Sequence, residues 1–100
     1  MSDQSVREIV ISAEGWKTPD DFYVPFLAAI GAPPWHGHNL DALWDSITGG
    51  DINRTSPPYQ VRITGIAQAS EGCKQLIDNF LALMGDAKAK GTPVEIVCEP

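Results

Sequence analysis

Two carboxylates and two imidazoles stand close together in the segment from His36 to Asp45. Asp41 and Asp45 are four residues apart, so they share one face if the segment is helical. Such a pair can act as general acid and base, join histidines around a metal, or accept charge-assisted hydrogen bonds from a basic partner. The residue types therefore allow an enzyme, a metal site or a binding surface.

The rest of the sequence disfavours catalysis and metal binding. No nucleophile elbow and no phosphate-binding glycine loop is evident. His36 and His38 point to opposite sides of an extended loop, so joint chelation needs a bend at Gly37, and no third ligand is evident. We therefore predict a protein without enzyme activity, metal or cofactor.

Local signals place the two aspartates on a short helix. Asn39 is a favourable N-cap, and Gly49-Gly50 is a stop signal directly after Thr48. At helical spacing, one stripe is apolar and faces inward: Leu40, Leu43 and Ile47. A second face of the same helix carries the polar residues Asp41, Asp45 and Thr48.

Asp45 is the carboxylate that local structure explains less well. Asp41 lies in the first turn, where the helix dipole favours an anion. Asp45 lies one turn above a like charge, which costs an isolated helix about 0.2–0.5 kcal/mol, and near the end where a cation is preferred. Trp35 and Trp44 frame this face, and large rings suit either a core or a binding hot spot.

Composition and charge narrow the class of protein. The 100 residues, 43% hydrophobic and 20% charged, are typical of one globular domain spanning residues 1–100. Thirteen acidic and seven basic residues give a net charge of −6, which disfavours direct binding of nucleic acid and is compatible with a basic protein partner. With no membrane-spanning apolar run and no secretory signal, the expected location is the cytoplasm, where Cys73 and Cys98 would be thiols.

Hydrophobic periodicity predicts an α/β fold. Runs rich in β-branched or alternating apolar residues predict three strands, at 7–12, 59–64 and 93–98. Helical signals lie between them, at about 19–30 with Thr18 as cap, at 40–48, weakly after Gly65, and at about 71–90. Pro25 can kink or split the first helix. Strands separated by helices favour a three-stranded, mostly parallel sheet packed with about four helices.

One stretch of the sequence resembles the signature of the barstar family. It is the pattern Gly37-x-Asn39-Leu40-Asp41-Ala42-Leu43-Trp44-Asp45-x-Ile47-Thr48-Gly49. Members of that family are small cytoplasmic proteins that inhibit microbial ribonucleases of the barnase type. The predicted order of elements matches the family along nearly the whole chain, whereas the match of individual residues is specific only from Trp35 to Gly49.

The resemblance implies roles for individual residues. Asp41 and Asp45 match two helix carboxylates that enter the nuclease active site in place of substrate phosphates, and Asp45 matches the dominant one. Trp35 matches an aromatic residue that packs on the catalytic cleft, and Asp86 matches an acidic contact on the last helix. The other predicted partner-binding residues are Gly37, Asn39, Trp44, Thr48 and Gly49. The implied partner is a barnase-type ribonuclease with a basic active site, bound one to one.

Four positions depart from the family pattern. His36 and His38 replace what are commonly an aromatic and an acidic residue, Gly50 replaces a bulky aromatic, and Lys90 replaces an acid. These changes leave the fold prediction intact but not the identity of the target. The alternatives are an immunity protein against a different toxin, and an adaptor whose acidic helix binds a protein that is not a nuclease.

Overall fold

A computed structural model describes residues 7–49, 53–55 and 58–100. These residues form a three-stranded sheet, three α-helices and one short 3₁₀-helix. In chain order the elements are β1 (Arg7–Ser12), α1 (Asp20–Ile30), α2 (Leu40–Thr48), β2 (Tyr59–Thr64), the 3₁₀-helix (Ile66–Gln68), α3 (Glu71–Ala89) and β3 (Val94–Cys98). The predicted α/β architecture is confirmed, and the weak helical stretch after Gly65 is the 3₁₀-helix.

The sheet is parallel throughout, in the order β1-β2-β3. Ile9, Val61 and Ile96 are aligned across it; the first two are buried and Ile96 packs against the same core under the helices. The opposite face carries Arg62 of the middle strand. Its guanidinium forms salt bridges with Glu8 on β1 and with Glu99, directly after β3. β2 is therefore the central strand, and its alternating pattern reflects one buried face rather than a sheet edge.

An aromatic cluster joins α1 to α3 over the sheet. Phe22 is fully buried, and its ring centroid lies 5.4 Å from that of Phe26 and 4.9 Å from that of Phe80. Trp16 approaches the same ring at 5.8 Å in an edge-on geometry. Offset and edge-on contacts of this kind stabilise aromatic pairs beyond the area that they bury. Cys73 lies buried nearby and Cys98 is exposed, and both are free thiols.

The start of α1 differs from the prediction that Thr18 caps it. No side chain caps this helix from its N-cap position. Instead the carboxylate of Asp21 accepts the backbone N–H groups of Lys17 at 2.7 Å and Thr18 at 3.1 Å. These bonds hold the pKa of Asp21 below its ordinary value. Pro25 lies inside a continuous helix, so it does not split α1.

α3 is the longest helix of the described residues, and elements from two parts of the fold pack against it. Its cap is Ser70, whose hydroxyl accepts the N–H of Cys73 at 3.3 Å, and the helix ends one residue before Lys90. It packs against both β3 and α2. α2 is thereby held at the surface on a rigid neighbour. Among the described residues, no helix is both long and apolar enough to cross a membrane.

Candidate partner-binding site

α2 is fixed at its start by the predicted cap. The Oδ1 atom of Asn39 accepts the backbone N–H of Ala42 at 2.7 Å. Gly37 lies close against this turn. A Cβ added to it would be 2.9 Å from the side-chain amide nitrogen of Asn39 and 3.2 Å from the Cβ of Ala42. A side chain at position 37 would therefore push the loop away from the cap. The glycine lets the loop and the helix start approach one another.

The two faces of α2 divide as predicted. Leu43 is fully buried, Ile47 is 5% exposed and Leu40 packs against the core. Asp41 and Asp45 are both exposed on the solvent side, and neither has a salt bridge to another residue in the described ranges. Their charges are therefore available to a partner.

Hydrogen bonds within the last turn satisfy backbone carbonyls at the C-terminal end of α2. The Thr48 hydroxyl donates to the carbonyl of Trp44 at 2.7 Å, and the Gly49 N–H donates to the carbonyl of Asp45 at 2.9 Å. Trp44 is half-buried and packs against the core, which helps to fix the position of α2. Its position on the helix is next to the acidic face. The predicted stop after Thr48 is confirmed, whereas Gly50 lies outside the described residues.

A groove of about 520 Å³ runs between α2 and the loop before it. Its lining residues are Trp35, His36, Gly37, Ala42, Asp45, Ser46, Thr48 and Gly49. Five of the predicted binding residues thus share one depression, with Asp45 the carboxylate on its wall. The other four predicted residues lie outside the lining: Asn39, Asp41, Trp44 and Asp86. Asp86 is exposed on the last turns of α3, the helix against which α2 packs.

The two loop histidines have different environments. His36 is 5% exposed, and its ring contacts the Gly37 carbonyl through Nδ1 at 2.8 Å and the Ser46 hydroxyl through Nε2 at 2.9 Å. His38 is exposed, and its Nδ1 lies 2.9 Å from a carboxylate oxygen of Asp20 on α1. The rings are therefore engaged with separate segments. Within the described ranges, no three His, Cys, Asp or Glu residues are grouped to hold a metal.

Sequence reasoning missed two polar residues beside the site, Ser46 and Asn53. Ser46 is 4% exposed, and its hydroxyl accepts the Asn53 amide N–H at 3.2 Å. A signal was present for Ser46, because it lies three residues after Leu43 at the border of the inward stripe of α2, where a buried polar residue needs a partner. Asn53 carries no comparable signal, since it lies in a turn-rich connection.

Comparison with known families agrees with this geometry. A family model described as Barstar (barnase inhibitor) matches residues 6–99. The chain belongs to the barstar family. The match includes both the capped acidic helix and the parallel sheet that supports it, so the resemblance seen in one segment extends along the chain. Barstar-family proteins are inhibitors rather than enzymes.

Proposed function

We propose that this barstar-family chain inhibits a barnase-type ribonuclease by placing α2 in the nuclease active site. The observation that carries the proposal is the position of Asp45. It is an exposed carboxylate on a capped, rigid helix, on the wall of a groove that also presents Trp35. Family membership supports the class of partner.

Carboxylates suit the active site of such an enzyme. A ribonuclease must bind anionic phosphates, so its cleft presents arginine, lysine and histidine side chains. Asp41 and Asp45 can accept charge-assisted hydrogen bonds from those groups in place of phosphate oxygens. Because a carboxylate contains no phosphodiester bond, the nuclease has nothing to cleave.

The remaining predicted residues have supporting parts in this proposal. Trp35 is 72% exposed and supplies a large apolar contact beside the charges, which excludes water from them. Thr48 and Gly49 border the groove at the other end of α2, and Asp86 adds a peripheral negative charge from α3. Asn39 and Gly37 act mainly by setting the direction of the first helical turn.

The charge of the whole chain favours rapid association. A net charge of −6 faces the positive field of a ribonuclease, and opposite fields raise association rates. Speed has a clear benefit if the inhibitor works in the cytoplasm, because an active ribonuclease destroys cellular RNA until it is captured.

The test is an inhibition titration against a panel of guanyl-specific microbial ribonucleases, including any nuclease encoded beside this gene. We expect RNA cleavage to stop near a one-to-one ratio with at least one of them. Asp45→Asn should weaken binding most, by at least about thirtyfold in Kd, since each hydrogen bond to a charged group contributes about 2 kcal/mol.

Asp78→Asn is the matched control for this titration. It makes the same change in net charge at an exposed position of α3 that is outside the groove. We expect it to inhibit almost as well as the unaltered protein. If every nuclease in the panel stays fully active at excess inhibitor, the proposed function is wrong.

The alternative partner is a different toxin or a protein that is not a nuclease. The observation that favours it is the loop before α2, where His36 is buried and His38 pairs with Asp20 in place of the residues common in the family. A toxin from the neighbouring genes that binds this chain without having ribonuclease activity would establish that alternative.

A further inference from the structure

Two neighbouring residues of the loop before α2 have opposite environments. The Trp35 side chain is 72% exposed, whereas His36 is only 5% exposed. The backbone N–H of His36 donates to the Pro33 carbonyl at 3.0 Å, which closes a tight turn just before the groove. The loop therefore presents one ring to solvent while the next ring is held in the interior.

The hydrogen bonds of His36 have a defined direction. A carbonyl oxygen can only accept, so Nδ1 carries the proton that is donated to the Gly37 carbonyl at 2.8 Å. In the tautomer with the proton on Nδ1, Nε2 accepts from the hydroxyl of Ser46 at 2.9 Å; the Leu43 carbonyl, 3.2 Å from the same hydroxyl oxygen, is the more distant acceptor for its single proton. The Ser46 oxygen in turn accepts the amide N–H of Asn53 at 3.2 Å. His36, Ser46 and Asn53 thus form one chain of hydrogen bonds, called here the histidine network.

The histidine network connects three separate segments. His36 belongs to the loop, Ser46 to α2, and Asn53 to the short connection that follows. That connection is itself attached to the end of α1, because the Arg54 and Thr55 N–H groups donate to the carbonyls of Gly31 and Ile30 at 3.1 and 2.9 Å. The loop is therefore anchored to two helices rather than resting on its own turn.

The histidine network also joins the sequence neighbours of Trp35 and Asp45, the exposed indole and carboxylate of the groove. His36 is adjacent in sequence to Trp35, and Ser46 is adjacent to Asp45. A bond between the side chains of 36 and 46 therefore restrains the distance between the exposed indole and the exposed carboxylate. Both residues line the same groove.

We propose that His36 is a positioning residue of the binding surface, which acts through Ser46 to fix Trp35 and Gly37 relative to Asp45. This inference rests on the proposed function for its effect on affinity, but not for its effect on the free protein. An ordered loop loses less conformational entropy when a partner binds than a mobile loop does. His36 makes no contact with the partner in this account.

The binding test compares three substitutions. His36→Phe keeps the size of the ring and removes both of its hydrogen bonds. Ser46→Ala removes the hydroxyl that joins His36 to Asn53 but leaves the His36 ring in place, so it keeps the test valid if the first variant does not fold. His36→Gln is the conservative rescue, because its amide can still hydrogen-bond Ser46. Ile77→Val, at a buried position of α3 outside the groove, is the control for a general loss of stability.

We expect His36→Phe and Ser46→Ala each to raise Kd about fivefold to tenfold, mainly through faster dissociation. Their double variant should be little worse than either one, because both break the same link. His36→Gln should recover most of the affinity, and Ile77→Val should leave it unchanged. The loss from His36→Phe should shrink in a Trp35→Ala background. Equal losses in both backgrounds, or unaltered affinity after Ser46→Ala, would overturn the proposal.

A measurement on the free protein separates this proposal from the proposed function. In Ser46→Ala we expect the ¹⁵N order parameters of the Trp35 and Gly37 backbone amides to fall from rigid values towards those of a flexible loop. The amide of His36 should also exchange with solvent faster. If the amides stay as ordered as in the unaltered chain, the positioning role is wrong even if the protein inhibits a nuclease. If the unaltered chain inhibits none, the proposed function fails while this result still decides the role of the network.

Discussion

Asp41 and Asp45 lie one turn apart on α2, and the helix stabilises the negative charge of the first but not of the second. Asp41 is in the first turn, where unpaired N–H groups and the dipole stabilise a negative charge. Asp45 lies nearer the carbonyl end and beside a like charge, so its carboxylate is unfavourable to the free helix. A residue that costs stability yet stays exposed at a groove is better explained by binding than by folding.

This difference predicts unequal effects of two matched substitutions on the free energy of unfolding. Asp45→Asn should stabilise the free protein by a few tenths of a kcal/mol, since it relieves repulsion and an unfavourable dipole interaction. Asp41→Asn relieves the same repulsion but loses a favourable dipole interaction, so it should give no gain. Urea denaturation at low ionic strength measures both. A clear loss of stability in Asp45→Asn would show that this carboxylate supports the fold.

At the scale of elements, the strands and helices could be predicted from the sequence, whereas the contacts between them could not. Caps, glycine stops and periodicity are local, so β1, α2 and β2 have the predicted bounds. The predicted cap of α1 was wrong because the first N–H groups of the helix donate to the backbone carbonyls of Thr18 and Pro19 rather than to the Thr18 side chain, a choice that only the folded geometry of this turn makes.

The candidate site shows the same division. The acidic face and the inward stripe follow from helical spacing alone, and Trp35 was predicted as its aromatic partner. The histidine network was not predictable, because it joins residues ten positions apart through a buried ring whose orientation depends on the packing of three segments. Burial of His36 is a tertiary property that the composition of the loop does not indicate.

Two glycines, one inside α3 and one directly after α1, give substitutions with opposite expected effects on stability. An added Cβ at Gly85, inside α3, would meet no other atom within 4 Å. Gly85→Ala should therefore stabilise the protein by about 0.5–1 kcal/mol through higher helix propensity. At Gly31, φ is +69° and an added Cβ would lie 2.5 Å from the Cβ of Arg54, so Gly31→Ala should destabilise. Thermal unfolding of both variants checks the pair, and a stabilised Gly31→Ala would refute this account of the turn.

Tyr59 at the start of the central strand predicts a feature of alkaline unfolding. Burial raises the pKa of its hydroxyl to about 12 from an ordinary value of 10.0. The folded state thus keeps a proton that the unfolded chain loses, so stability is fully present below pH 10 and falls as the pH rises towards 12. The loss should reach about 2–3 kcal/mol. Tyr59→Phe should show a shallower decline in denaturant titrations from pH 9 to 12, and an unchanged slope would contradict the assigned burial.

For the molecule as a whole, the sheet and α3 form a rigid support on which α2 is displayed. The apolar face of the sheet and the aromatic cluster are covered by the helices, while the acidic face of α2 remains open. A preorganised surface of this kind binds with less ordering cost than a flexible one. The net charge of −6 adds long-range attraction for a basic partner, and this part of the account was available from composition alone.

The central claim is that α2 occupies the place of substrate phosphates in a ribonuclease active site. The most direct measurement is the Kd of the inhibitor for its target nuclease at increasing concentrations of guanosine 3′-monophosphate, with Asp45→Asn in parallel. We predict that the apparent Kd rises linearly with the nucleotide concentration from its nucleotide-free value, because one site cannot hold both ligands. The weaker Asp45→Asn complex should show the same competition. A Kd that is independent of the nucleotide at saturation, with a stable ternary complex, would contradict the account.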